Sequence, residues 1–138
     1  MKHNTDTLYT FITGGAFASF AFLVGGVDKL LIAVGIFMIL DYVTGIAASI
    51  EDKSTSSKTA FKGLLKKASM LSLIIVANQL DIITGNEGSF MRNAMLMFLI
   101  GTEGISLLEN LAKLGVPFPS NFKAVFEQMR DKNNGGDK

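Results

Sequence analysis

Cysteine is absent from the 138 residues, and histidine occurs once, as His3. The first absence excludes a disulfide framework, a thiolate nucleophile and any cysteine-based metal site. The second leaves a single imidazole near the terminus, which cannot build a histidine metal centre. With no Ser/His or Cys/His pairing available, the chain offers no catalytic constellation and no cofactor site. Thirteen Lys and Arg against twelve Asp and Glu leave a net charge of +1, so no basic surface for nucleic acid is indicated. Charge is also missing locally, from long uninterrupted stretches.

Two of those stretches, residues 8–27 and 30–50, lie back to back and are separated only by Asp28-Lys29. Each is about 20 residues, the length that crosses a hydrocarbon core of roughly 30 Å. Two weaker apolar stretches follow, 68–85 and 94–112, with Ser, Asn, Gln and Glu mixed in. A hydrophobic content of 49% and a mean hydropathy of +0.38 fit that mixture. The fold expected is one all-α integral membrane domain of about four transmembrane helices, with short amphipathic helices at the interface. A cleavable signal peptide is the alternative at the start, because Ala16-Phe17-Ala18 loosely fits a cleavage site. The apolar run continues past that point, and the first stretch is read as a retained span.

Orientation follows from where the cations collect. Lys53, Lys58, Lys62, Lys66 and Lys67 crowd residues 51–67, and Lys123, Arg130, Lys132 and Lys138 occupy the tail. The other two connections hold only Lys29 and Arg92. Positive loops stay in the cytoplasm, so the central connection and the 115–138 tail belong on that side. Four spans with both termini inside satisfy this; three spans would put the basic tail outside.

The polar residues within the stretches are the candidates for function. Asp41 lies roughly 16 Å along a helix from Leu30, near the bilayer centre, where an aspartate costs about 2.5–3.5 kcal/mol. No Lys or Arg occurs within the four stretches to pair with it. It is expected neutral, facing water, or hydrogen-bonded by Thr44, Ser72, Gln79 or Ser106. Glu103, Ser106, Asn110 and Lys113 follow one another at helical spacing as a polar stripe that cannot face lipid. Asp41, Thr44, Gln79, Glu103, Ser106 and Asn110 are therefore the pore or assembly candidates. The Asp81–Gly85 echo of Asp41–Gly45 has no matching flanks and is read as coincidence; a protease of the intramembrane aspartyl type would need other flanking patterns.

Small residues Gly14, Ala18, Ala21 and Gly25 recur on one face of the first stretch, a spacing that lets helices approach closely, within one copy or between copies. Ser56 or Ser57 offers an N-cap to an amphipathic connector. Its Lys58, Lys62 and Lys66 recur every fourth residue and would lie toward lipid headgroups. Gly115-Val116-Pro117-Phe118-Pro119 ends the fourth stretch. An amphipathic tail follows, with Phe122, Val125, Phe126 and Met129 on one side, and residues 133–136 form a frayed end.

The stretches D-Y-V-T-G at 41–45, S-S-K-T-A-F-K-G-L-L-K-K at 56–67 and E-G-I-S-L-L-E-N at 103–110, with G-V-P-F-P after them, carry a resemblance. The chain resembles the phage holin family that also includes the clostridial toxin-release holins, over roughly residues 30–129. Thr102 stands where Asn is expected in many relatives. The resemblance implies a non-enzymatic protein of the bacterial cytoplasmic membrane that accumulates, then assembles into lesions. Those lesions would let out an endolysin or a toxin, without that protein necessarily touching the holin. Helices this short pack solidly around their own side chains, so a hole would need a homo-oligomer in the lipid bilayer. The competing reading is a small ion or solute transporter, or an accessory subunit of a membrane complex, with Asp41 and Glu103 as a relay.

Overall fold

The computed structural model describes residues 2–132, with side chains from residue 6 onward. The terminal His3 side chain and the expected frayed end at 133–136 lie outside the described residues. Five helices follow in order: α1 Lys2–Leu23, α2 Lys29–Glu51, α3 Ser57–Thr84, α4 Phe90–Lys113 and α5 Ser120–Asp131. The all-helical expectation agrees with this order. Among the described residues, α2 and α4 are the two helices long and apolar enough to cross a membrane. α1 ends at Leu23, so the last residues of the 8–27 stretch fall in a turn, and its first turns are polar. α3 opens with a lysine-rich third.

Helix boundaries have local causes. Asp28 accepts a hydrogen bond from Leu31 N at 2.9 Å and Ser56 one from Thr59 N at 3.1 Å, capping α2 and α3. At the other ends, α1 to α4 close with paired bonds reaching back three and five residues, around Gly25, Lys53, Gly85 and Gly115. Lys53 adopts φ 53 there, a left-handed conformation that glycine takes without strain.

The connector and the third apolar stretch form one continuous helix rather than an interfacial helix followed by a span. Ser56 caps the run, and no proline or glycine turn interrupts it before Gly85. α2 and α4 run side by side in parallel, and α3 lies antiparallel to both. The core between them follows one stripe of each helix: Leu31, Val34 and Met38; Met70 and Ile74; Leu96, Leu99 and Ile100.

α5 folds back along α4. A Cβ at Gly101 would stand 2.7 Å from Arg130 N and from Phe126 O, and the Phe126 ring lies against Gly104. Phe126 also meets Phe37 of α2 edge-on, with ring centroids 5.4 Å apart. The tail through Lys132 is thus a packed layer rather than a free appendage. α1, by contrast, touches α3 near its own C-terminal end and leaves Phe11 80% and Phe22 73% exposed.

Candidate functional site: an ion cluster between three helices

Each core stripe continues into a polar residue at the same level. Asp41 follows Leu31, Val34 and Met38 on α2; Lys67 precedes Met70 and Ile74 on α3; Glu103 follows Leu96 and Leu99 on α4. Helical spacing of three and four residues keeps each of them on the inward face. The Lys67 ammonium donates to Asp41 Oδ2 at 2.5 Å and to Glu103 Oε2. Asn110 Nδ2 donates to Asp41 Oδ1 at 3.0 Å, with Asp41 O at 3.2 Å and Thr44 Oγ1 at 3.3 Å.

The expectation that Asp41 lacks a basic partner is corrected here. Lys67 stands in sequence among the surface lysines, but it follows Lys66 by one residue and is turned by roughly 100° around the helix. Lys58, Lys62 and Lys66 remain exposed, while Lys67 turns inward onto the Met70–Ile74 stripe. That stripe is the signal that would have found it.

Charge does not balance within the cluster. With all three groups ionised, two carboxylates face one ammonium. Glu103 is fully buried, and its Oε1 has no hydrogen-bond partner. Unpaired buried acceptors are costly, which makes this oxygen the least satisfied atom of the cluster. A cavity of about 260 Å³ opens beside the cluster, bordered by Asp41, Gly45, Lys67, Ser106 and Asn110. Ser106 therefore borders the site without a hydrogen bond to Asp41. Gln79 is half-buried farther along α3, away from Asp41, and Ser72 bonds only its own helix, at Ala68 O.

A second buried polar group closes the opposite end of the bundle. Arg92 is 2% exposed and donates to Val24 O, to Gly26 O and to Asp28 Oδ2, the last at 2.6 Å. The hydrogen bond from Arg92 holds the Asp28 carboxyl below its ordinary pKa against the opposing effect of burial, with the Leu31 amide adding to the lowering. Asp81, at the end of α3, accepts from Met91 N at 3.0 Å and Arg92 N at 2.7 Å. It caps α4 in place of Ser89, whose side chain does not. Asn78 reaches Leu23 O at 3.0 Å. Nothing in the spacing of Asp81 and Arg92 announced this, because the two meet only after the 85–89 turn closes.

Of the small residues read as packing sites, Gly14 has no other element within 4 Å of a Cβ position, and Ala18 is exposed. Gly25 lies beyond the end of α1, at φ 78, with Asn78 and Arg92 filling its Cβ position. Its role is a turn pressed onto the second polar group, a correction to its assignment on a helix face. No group of acidic or histidine side chains able to hold a metal ion occurs among the described residues.

Comparison with known proteins agrees with the sequence patterns. The chain is 35% identical over 100 residues to a probable holin of Bacillus phage phi105, covering 72% of this chain and 73% of that one. An uncharacterized protein of Clostridium perfringens is 35% identical over 115 residues, covering 83% and 85% of the two chains. One from Listeria monocytogenes is 38% identical over 106 residues, covering 77% and 75%. No solved structure matches the chain. The bacteriophage holin family matches residues 18–131, which include α2 to α5 and the whole ion cluster, and the chain belongs to that family.

Proposed function

We propose that the protein is a holin that crosses the bacterial cytoplasmic membrane several times and assembles with copies of itself into lesions. Through these an endolysin or a toxin leaves the cell. The observation that carries this reading, beside family membership, is the interior of the single copy. Its middle is filled by Asp41, Lys67, Glu103 and Asn110 bonded to one another, and the cavity of about 260 Å³ between α2, α3 and α4 is far too small to pass a protein. A protein-sized opening must then form between copies. The exposed apolar flank of α1 supplies surface for that assembly or for lipid.

One feature favours the transporter reading: the unpartnered Glu103 Oε1, a place to hold a proton or cation in transit. Inducible expression in a bacterium decides between them. The test is run with and without a cytoplasmic muralytic enzyme that has no export signal. A holin collapses the membrane potential in either case and lyses the culture only when the enzyme is present. Solute-coupled flux with no escape of the enzyme establishes the relay instead.

A further inference from the structure

α5 is a charged helix packed along α4, one of the two described helices long and apolar enough to cross a membrane. An 18-residue crossing segment placed anywhere within the 24 residues of α4 includes residues 96–107. Phe126 packs on Gly104, the backbone of residues 126–130 on Gly101, and Met129 and Lys132 border a cavity with Met97. The last two turns of α5 therefore lie beside the hydrocarbon-spanning part of α4. Roughly 100° per residue places Phe122, Val125, Phe126 and Met129 on one arc and Lys123, Glu127 and Asp131 on the flank away from it, with Arg130, whose backbone lies against Gly101, at the edge between them. Lys123 is 56% exposed and Asp131 61%. Hydrocarbon does not accept such an arc; ionisable side chains at this depth face a water-filled space or protein. The arc is already internally compensated, since Lys123 lies 3.9 Å from Glu127 and Arg130 2.9 Å from Asp131. With no net charge to seek in a partner, it fits water.

We propose that the outward polar arc of α5 borders the aqueous lumen of the assembled lesion, with Phe122 and Val125 turned to lipid or to a neighbouring copy. This rests on the lesion-forming reading above. The docking of α5 in the Gly101–Gly104 notch, rather than any polar stripe of α4, would then provide the wet wall, because Glu103 and Asn110 are committed to Lys67 and Asp41.

The cysteine-free chain allows a direct test. The full-length protein is reconstituted into phosphatidylethanolamine–phosphatidylglycerol vesicles holding a fluorescent protein, with single cysteines at Glu127→Cys, Lys123→Cys and Val125→Cys. A charged methanethiosulfonate is added while the vesicles leak. The expected result is modification at Glu127→Cys and Lys123→Cys at least tenfold faster than at Val125→Cys, with leakage changed at least threefold. The double variant Met97→Cys, Gln128→Cys should be joined by a short bis-maleimide in the leaking vesicles. Equal reactivity at all three positions, unchanged leakage after modification, or loss of the cross-link overturns the proposal while the lesion reading stands. Vesicles that never leak with the unmodified chain remove both.

Discussion

Lys67 on α3 and Asp41 on α2 are 26 residues apart in sequence, and the ammonium of one lies 2.5 Å from a carboxylate oxygen of the other. Glu103 of α4 binds the same ammonium, so three helices are held by one cation. Family membership and the apolar α2 and α4 make this a membrane protein. In that setting, with all three groups ionised, the cluster holds one carboxylate in excess.

Lys67→Met leaves two buried carboxylates facing each other, and the loss of a buried partner costs about 3–5 kcal/mol. Chemical unfolding in detergent micelles should show a loss of that size. Adding Asp41→Asn and Glu103→Gln in the same chain should restore most of it. If the triple variant is as unstable as Lys67→Met, shape rather than charge is what the site requires.

Either Asp41→Asn or Glu103→Gln alone leaves one carboxylate to one ammonium. Both should stabilise the resting bundle and delay the fall in culture turbidity at matched membrane abundance. Glu103→Leu also removes the charge but gives Lys67 no oxygen on α4, and should disturb assembly. Wild-type timing in all three would remove the cluster from the trigger.

Gly101→Ala puts a methyl 2.7 Å from two backbone atoms of α5. Crowding of this kind costs about 1–3 kcal/mol and is relieved if α5 lifts away. Limited proteolysis of the solubilised chain should cut between residues 114 and 131 several-fold faster than in wild type. Unchanged protection would mean that α5 does not sit in the notch.

Asp81→Ala removes the acceptor for the Met91 and Arg92 amides, and the loss of such a cap costs about 0.5–2 kcal/mol. Amide hydrogen exchange should rise in the first turn of α4, with Asp81→Asn intermediate. An unaltered first turn would show that Ser89 or water substitutes.

Asp28 has a lowered pKa in the folded chain, owing first to its Arg92 hydrogen bond. Its stabilisation is therefore complete above the ordinary carboxylate value and is lost as pH falls through the lowered one. The gap in thermal midpoint between wild type and Asp28→Asn should be widest near neutral pH and should close as the pH falls below the ordinary carboxylate range. A gap independent of pH would assign the effect to the cap geometry alone.

The courses of α2 and α4 and the start of α3 were legible from residue order, since apolar runs, Ser56 and the 115–119 stop signal act within a turn or two of where they stand. So was the inward placement of Asp41, Glu103 and Asn110, polar groups on stripes that are otherwise apolar. The sequence also carried the motifs that mark the family. Lys67 is not legible in this way, because a lysine beside three surface lysines differs from them only by its angle around a helix that continues past residue 68. The Asp81 cap, the Arg92 clamp and the α5 notch depended on the turns and on the way α3, α4 and α5 pack. Local propensity ends where a helix ends. Whether Gly101 faces lipid or receives another backbone is decided by packing between segments far apart in the chain, and only the tertiary structure contains it.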